Sequence, residues 1–230
     1  MKTRIILVRH AEAEGNYKRL FHGWSDGGIT KKGHMQAVLA AEKLKEYKID
    51  RIFSSPLLRT MQTAGYIAKI KNIQIKKDDR LKEINGGDWE GQRWDELSYK
   101  WPKEYDTWEN KPHIHQMPNG ESMNEFYSRI KSVIDDLVTN NKGENICVFT
   151  HGTVIKALMC YFYGYSLEKM IIVRWFDNTA ISIVDFSDNG IKVIVEGNDD
   201  HLEDENKTVI NQEWWNEYIE KHKKITSETE

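Results

Sequence analysis

The sequence predicts an α/β protein built in three layers, with a mainly parallel central sheet flanked by helices and a helical and loop insertion as a lid. Two short apolar runs, residues 4–8 and 145–149, each lead within two residues into a histidine, His10 or His151. Such β-branched runs are typical of buried parallel strands, and ligands of open α/β sheets bind beyond the strands' carboxyl ends. We therefore expect both imidazoles to face one crevice.

Strands and helices alternate along the first part of the chain. Apolar spacing predicts a helix over 31–47, and a short strand is expected near 51–54. Pro56 then suits the first turn of a helix over 57–69. A strand near 73–77 extends this βαβα pattern.

A segment rich in Trp, Pro and His interrupts the alternation. It forms an insertion at about 92–122, which we interpret as the lid, and we expect most of its tryptophans to pack it onto the core. Glu121 then opens a helix that runs to about Thr139.

The alternation resumes after the strand at 145–149. We expect a helix over 153–163 and strands near 171–176, 180–186 and 191–196. Asn189-Gly190 predicts a tight hairpin between the last two strands. The sheet should therefore be mainly parallel with an antiparallel edge.

The length of 230 residues suits one catalytic domain with a lid. We assign residues 1–200 to the α/β domain and 201–230 to a C-terminal extension. The extension begins with acidic residues and continues into a short helix that holds Trp214 and Tyr218.

Charge and cysteine content limit the class of partner. The net charge of -3 comes from 33 basic and 36 acidic residues spread along the chain, so we expect neither a nucleic-acid nor a membrane surface. No apolar run approaches the roughly 20 residues of a membrane helix, and the chain opens on a strand instead of a signal peptide. Cys147 and Cys160 lie in apolar segments outside any CxxC motif, which argues against a disulfide framework or zinc site and predicts a cytoplasmic protein. The oligomeric state is left open.

A third strand-to-helix junction adds to the predicted crevice. Residues 54–60 deliver Arg59 to the rim that already holds Arg9 beside His10. Guanidinium groups match phosphate oxygens bidentately, and two histidines with two arginines at one site suggest bound phosphate.

The order of these blocks resembles the histidine phosphatase superfamily, the phosphoglycerate mutase-like proteins. The resemblance spans roughly residues 4–202 in seven ordered blocks. They lie at residues 9–12 with 23–26, 54–60, 80–84, 87–91, 118–122, 150–152 and 178–180. Together they are very specific for the family and much less so for the substrate.

The resemblance implies a role for each histidine and arginine. His10 would attack phosphorus and form a phosphohistidine, which requires a neutral ring with its second nitrogen held by a hydrogen bond. Arg9, Arg59 and His151 would hold the non-bridging oxygens. The chemistry needs positioning and charge stabilisation, so no metal and no cofactor is expected.

The resemblance also implies an acid and further phosphate ligands. Glu83 would protonate the leaving oxygen and then activate water, while Glu90 is the rival acid in a segment that mainly shapes a loop. Asn16 would donate its amide to a phosphate oxygen. Thr153 would add its backbone amide at the start of helix 153–163, where the helix dipole favours an anion.

Departures from the family pattern help to distinguish a phosphatase from a mutase. Ala11 replaces a frequent glycine, the insertion has few arginines, and residues 151–154 read His-Gly-Thr-Val where the mutases carry a His-Gly-Asn-Ser-like block. The methyl group of Ala11 is tolerable at that turn and leaves catalysis unaffected. The composition of the insertion, the 151–154 block and residues 87–91 favour the phosphatase branch, similar to α-ribazole phosphatase and broad-specificity phosphatases that act on small phosphorylated metabolites. A mutase-type phosphotransferase and a non-catalytic phosphate-recognition protein are the alternatives.

Overall fold

The computed structural model describes residues 1–227, with the backbone alone for Lys221 and residues 224–227. The strands are β1 (Thr3–Arg9), β2 (Arg51–Ser54), β3 (Ile75–Lys77), β4 (Asn145–Thr150), β5 (Ile181–Ser187) and β6 (Gly190–Asn198). The α-helices are α1 (Glu14–Lys18), α2 (Lys31–Leu44), α3 (Leu58–Lys71), α4 (Trp94–Lys100), α5 (Pro102–Asn110), α6 (Met123–Asn140), α7 (Gly152–Tyr163) and α8 (Trp215–Ser227).

The six strands form one sheet in the order β3-β2-β4-β1-β5-β6. β3, β2, β4 and β1 run parallel to one another, while β5 pairs antiparallel with β1 and with β6. The predicted mainly parallel sheet with an antiparallel edge is therefore confirmed.

Helices cover both faces of this sheet. Alternate residues of β1 point to opposite faces, so Ile6 and Val8 pack in the cluster that includes Leu44 of α2 and Ile67 of α3. Ile5 and Leu7 instead enter the larger cluster formed with α6 and α7. This arrangement confirms the predicted three layers.

The hairpin at the antiparallel edge forms as the Asn-Gly pair predicted. Ser187 pairs with Gly190, and Gly190 adopts a φ of +102°, which glycine tolerates without strain.

The prediction of a strand near 171–176 is wrong. Leu167–Ile172 is a 3₁₀ helix, and the chain continues from it as a loop to the sheet. Every third side chain along this segment is buried, at Leu167, Met170, Val173 and Phe176. Three residues per turn is the 3₁₀ period, so the apolar residues reach the core from a helical turn that leads into a loop.

The insertion holds two helices, α4 and α5, followed by a 3₁₀ turn at Pro112–Ile114. Its aromatic rings pack against the core. Trp89 is fully buried and lies 5.9 Å, centroid to centroid, from Trp108, which in turn lies 5.3 Å from the buried His115. This aromatic cluster fixes the insertion to the sheet domain, as expected for most of its tryptophans.

Both cysteines, Cys147 and Cys160, are buried free thiols. Within residues 1–227, none of the helices has the length and apolar character that crossing a membrane requires. The cytoplasmic location stays a prediction.

The aromatic cluster generates a stability prediction. Trp89→Ala should lower the free energy of unfolding by about 3–5 kcal/mol, because it removes a fully buried indole and leaves a cavity between insertion and core. Tyr99→Ala in α4 is the control, since Tyr99 is 91% exposed and its loss should stay within about 0.5 kcal/mol. Urea unfolding measures both. A Trp89→Ala loss no larger than that of the control would contradict the packing role.

Candidate active site

The two strand-end histidines meet at one edge of the sheet. β1 and β4 run parallel in a register that pairs Arg9 with Thr150, so the next residue of each strand emerges at the same level. The ring centroids of His10 and His151 lie 5.3 Å apart. A cavity of about 670 Å³ opens beside them and is lined by His10, Arg9 and Glu83 among others. A crevice is thus present at the strand ends, but of the two imidazoles expected to face it His10 lines the cavity and the fully buried His151 does not.

His10 is held in one tautomer. Its Nδ1 lies 2.8 Å from the carbonyl oxygen of Ala11, which can only accept a hydrogen bond, so Nδ1 carries the proton and Nε2 carries the lone pair. Burial, with the positive charges of Arg59 and Arg9, holds the pKa of His10 well below its ordinary value. Asn178 Nδ2 donates to the His10 carbonyl at 2.7 Å and fixes its backbone.

Arg9 lies on the cavity wall with 8% of its surface exposed. One terminal nitrogen donates to the Phe176 carbonyl at 2.6 Å, and its buried Nε has no hydrogen-bond partner among the described residues. Burial lowers the pKa of Arg9, while the carboxylates of Asp177 and Glu83 oppose that shift. A buried N–H beside a cavity is suited to an anionic ligand.

Arg59 is fully buried, and its terminal nitrogens do not line the cavity. They donate to the carbonyl oxygens of His22, Gly23 and Ser25 at 3.0, 2.7 and 2.9 Å. The guanidinium therefore holds the loop between α1 and α2 in place. Burial lowers the pKa of Arg59 to about 10. In this structure, then, Arg59 reaches the site through the loop it holds and through its positive charge.

His151 lies behind His10 and is fully buried. Its Nε2 is 2.9 Å from the Ser55 hydroxyl, and its Nδ1 has no partner among the described residues. Burial, Arg59 and His10 together hold its pKa well below the ordinary value. The ring is therefore neutral, and the Ser55 contact sets its orientation.

Glu83 lines the cavity and is buried. Its Oε1 accepts from the Ile84 amide at 2.9 Å and its Oε2 from the Thr153 amide at 3.0 Å. Burial raises the pKa of Glu83, although the two amide contacts and Arg59 oppose the shift. The Thr153 amide at the start of α7 thus donates its hydrogen bond to a protein carboxylate, whereas the sequence predicts that it binds phosphate. The positive N-terminal end of the α7 dipole stabilises this carboxylate as it would stabilise a phosphate.

Glu90 occupies a different position from Glu83. Its carboxylate accepts from the amides of Trp24, Ser25 and Gly86 at 2.7, 3.0 and 3.0 Å, and it is not part of the cavity wall. These contacts hold the loop around Trp24 in place.

Asn16 lies on the cavity wall. Its side-chain oxygen accepts from the Ala13 amide at 3.0 Å, which closes the start of α1. The oxygen is therefore committed to the protein, and the amide nitrogen is the group that a ligand would use.

His22 is a site residue that the sequence reasoning missed. Its ring lies 5.7 Å from His10, edge to face, and it lines the cavity. Burial, Arg59 and Arg9 hold its pKa well below the ordinary value. Gly15 leaves room for this ring, because a Cβ there would stand 2.4 Å from it. The useful signal was its place directly before the Gly23-Trp24 block.

The C-terminal segment also belongs to the site. The amides of Thr208 and Val209 donate to Asp177 at 2.8 and 2.9 Å, next to the loop that holds His10. Farther along, Trp214 and Tyr218 line the cavity. The predicted extension over 201–230 therefore contributes to the cavity wall between Thr208 and His222, while its last three residues lie outside the described part of the chain.

Comparison with known proteins agrees with this geometry. The family model described as histidine phosphatase superfamily (branch 1) matches residues 5–200. Phosphoserine phosphatase 1 of Hydrogenobacter thermophilus is 34% identical over 182 residues, which cover 79% of this chain and 86% of the relative. A 2,3-bisphosphoglycerate-dependent phosphoglycerate mutase of Bartonella tribocorum is 32% identical over 178 residues, covering 74% and 86%.

Solved structures give the same result. Bacillus stearothermophilus YhfR aligns with a TM-score of 0.84 and 30% identity over 87% of this chain and all of that one. A putative α-ribazole-5'-P phosphatase of Escherichia coli aligns with a TM-score of 0.78 and 25% identity over 85% and 96%. The resemblance recognised in the sequence is confirmed: the chain belongs to the histidine phosphatase superfamily, branch 1, and is a phosphatase of that superfamily.

Proposed function

We propose that the protein hydrolyses a small phosphorylated metabolite, without a metal ion, through a phosphohistidine on His10. One observation supports this most strongly. The Ala11 carbonyl fixes the His10 proton on Nδ1 and leaves the Nε2 lone pair at the cavity, beside a buried arginine and a buried carboxyl group. This is the arrangement that a neutral imidazole nucleophile requires.

In the first step, Nε2 of His10 attacks phosphorus and the bond to the leaving oxygen breaks. Arg9 holds the non-bridging oxygens, Arg59 adds its positive charge from behind the loop it organises, and the neutral His151 ring offers a hydrogen bond beside His10. Asn16 contributes its amide at the cavity wall. Preorganised side chains thereby stabilise the negative charge of the transferred phosphoryl group, and this stabilisation is the main protein contribution to phosphoryl transfer.

Glu83 supplies the proton. Its raised pKa leaves the carboxyl able to carry a proton to the leaving alkoxide, and the resulting carboxylate then removes a proton from the water that cleaves phosphohistidine. That second step releases inorganic phosphate and restores both groups. Glu90 stays committed to the loop around Trp24.

A phosphoglycerate mutase-type transfer is the second candidate, favoured by the 32% identity to the Bartonella mutase. It differs in the acceptor, since a substrate hydroxyl replaces water at the second step. The few arginines of the insertion and the identity to a phosphoserine phosphatase favour water. Release of inorganic phosphate, with and without 2,3-bisphosphoglycerate in EDTA-treated assays, separates the two.

His10→Ala should abolish phosphatase turnover and leave the fold intact, because the ring serves the cavity and not the core. His34→Ala is the control, since that ring lies on α2 and contacts Tyr66. Labelling with ³²P-substrate, quenched in alkaline detergent because the P–N bond of phosphohistidine is cleaved by acid, should trap phosphate on the wild type and on the control alone. Normal turnover in His10→Ala would falsify the nucleophile assignment.

Glu83→Gln should slow hydrolysis of alkyl phosphates on the order of a hundredfold or more, since their leaving oxygens need a proton. Aryl phosphates should lose much less in the first step and accumulate phosphohistidine, seen as a burst of phenol. Glu90→Gln should show neither leaving-group dependence nor a burst. The reverse pattern would move the acid to Glu90.

The His10 ring should stay neutral at pH 6.5 and below. Its lowered pKa means that a proton binds only at a pH beneath the ordinary histidine range, so the nucleophile is retained as the solution becomes mildly acidic. Nitrogen chemical shifts of ¹⁵N-labelled protein report the protonation state, with His10→Ala assigning the signal. Protonation of His10 above pH 6.5 would contradict the buried environment described here.

A further inference from the structure

We infer that Arg129 is a positioning residue for Glu83, because its guanidinium holds the peptide segment that carries this acid. The inference rests on the proposed function, in which Glu83 protonates the leaving oxygen. Arg129 lies on α6, and it is not among the residues that line the cavity. Its effect on the reaction therefore passes through the backbone of Glu83.

The segment around Glu83 lacks regular secondary structure. One 3₁₀ turn ends at Leu81 and the next begins at Gly87, so residues 82–86 belong to neither a helix nor a strand. Peptide groups of a buried segment need hydrogen-bond partners, and here no helix or sheet ladder provides them. Side chains from other elements supply partners instead, and they thereby set where the acid lies.

The Arg129 guanidinium binds three carbonyl groups of this segment. One terminal nitrogen donates to the carbonyl oxygens of Arg80 and Lys82 at 2.8 and 2.9 Å, and the other donates to that of Glu83 at 3.1 Å. Trp24 Nε1 donates to the same Glu83 oxygen at 2.8 Å. Two side chains from distant parts of the chain thus hold the Glu83 peptide.

Glu121 holds the guanidinium in turn. Its carboxylate oxygens accept from Nε and from a terminal nitrogen of Arg129, each at 2.7 Å, and both side chains are 17% exposed. Together with the three carbonyl contacts, these bonds engage all five N–H groups of the guanidinium. Glu121 also accepts from the Asn85 amide at 2.9 Å, just beyond the acid. The ion pair therefore forms a fixed support for the segment, and it gives a role to the family block at 118–122.

Proton transfer depends on where the Glu83 carboxyl lies. A general acid must reach the leaving oxygen at hydrogen-bond distance, and a displacement of about 1 Å can cost on the order of a hundredfold in rate. Arg9 and His10 are held by separate contacts, to the carbonyl groups of Phe176 and Ala11. Loss of Arg129 should therefore weaken acid catalysis selectively and leave the nucleophile and the phosphate contacts in place.

The test compares leaving groups in kcat/KM, which reports on the steps up to the phosphorylation of His10. The alkyl phosphates O-phosphoserine and glycerol phosphate need a proton on the leaving oxygen, whereas p-nitrophenyl phosphate has an acidic leaving group. We expect Arg129→Met to lower kcat/KM for the alkyl phosphates on the order of tenfold to a hundredfold, and for the aryl phosphate much less. Arg129→Lys keeps a charge opposite Glu121 but loses the planar fork, so it should show the same selectivity to a smaller extent.

Arg80→Met is the matched control. Arg80 belongs to the same segment and also reaches α6, but its guanidinium donates to the carboxylates of Asp78 and Asp136, at 2.8 and 2.6 Å. Its loss should leave the ratio of alkyl to aryl kcat/KM unchanged.

A double variant separates positioning of the acid from general loosening of the fold. If Arg129 acts through the acid, Arg129→Met should add little to the alkyl-phosphate loss once Glu83→Gln has removed the acid. Fully additive losses would overturn the inference, and so would equal losses of alkyl and aryl activity in Arg129→Met.

Failure of this inference is distinguishable from failure of the proposed function. If Glu83→Gln shows the leaving-group dependence and Arg129→Met does not, the positioning role is wrong and the acid assignment stands. If Glu83→Gln slows both substrate classes alike, or the wild type hydrolyses p-nitrophenyl phosphate alone, the acid assignment is overturned and the inference with it. Should Arg129→Met fail to fold by circular dichroism, Arg129→Lys decides the question by the same ratio.

Discussion

The parallel pairing of β1 with β4 positions both histidines of the site. Its register sets Arg9 level with Thr150, so the residues that follow, His10 and His151, leave the sheet side by side. Both strands are buried on both faces, which leaves them little freedom to shift. The 5.3 Å separation of the two rings is a consequence of this register.

Burial then decides how the charged groups behave. Burial, and after it the positive charges of Arg59 and Arg9, lowers the pKa values of the three histidines and favours their neutral form. Backbone carbonyls accept hydrogen bonds from both guanidinium groups, that of Phe176 from Arg9 and that of Gly23 from Arg59. The result is a rigid positive region that costs little rearrangement when an anion enters, together with a nucleophile that stays unprotonated.

Much of this site follows from local sequence patterns. Apolar runs ending in Arg-His and Thr-His place His10 and His151, and the order of the family blocks adds Arg59 and Glu83 as neighbours. The part that could not be predicted depends on packing between distant segments. His22 has no apolar pattern around it, and the C-terminal residues Thr208 and Val209 reach the site by binding Asp177. The strand predicted at 171–176 is absent for a different reason, because its apolar residues reach the core at every third position, which is the period of a 3₁₀ helix and not of a strand.

We propose that these strand ends form a phosphate site in which Nε2 of His10 is the attacking atom. A crystal structure with orthovanadate, which mimics the phosphoryl group in transfer, is the decisive test. We expect vanadium in line with Nε2 of His10, non-bridging oxygens beside Arg9 and His151, and the apical oxygen beside Glu83. Vanadate bound elsewhere in the cavity, or held with His10 Nε2 turned away from the metal centre, would contradict it.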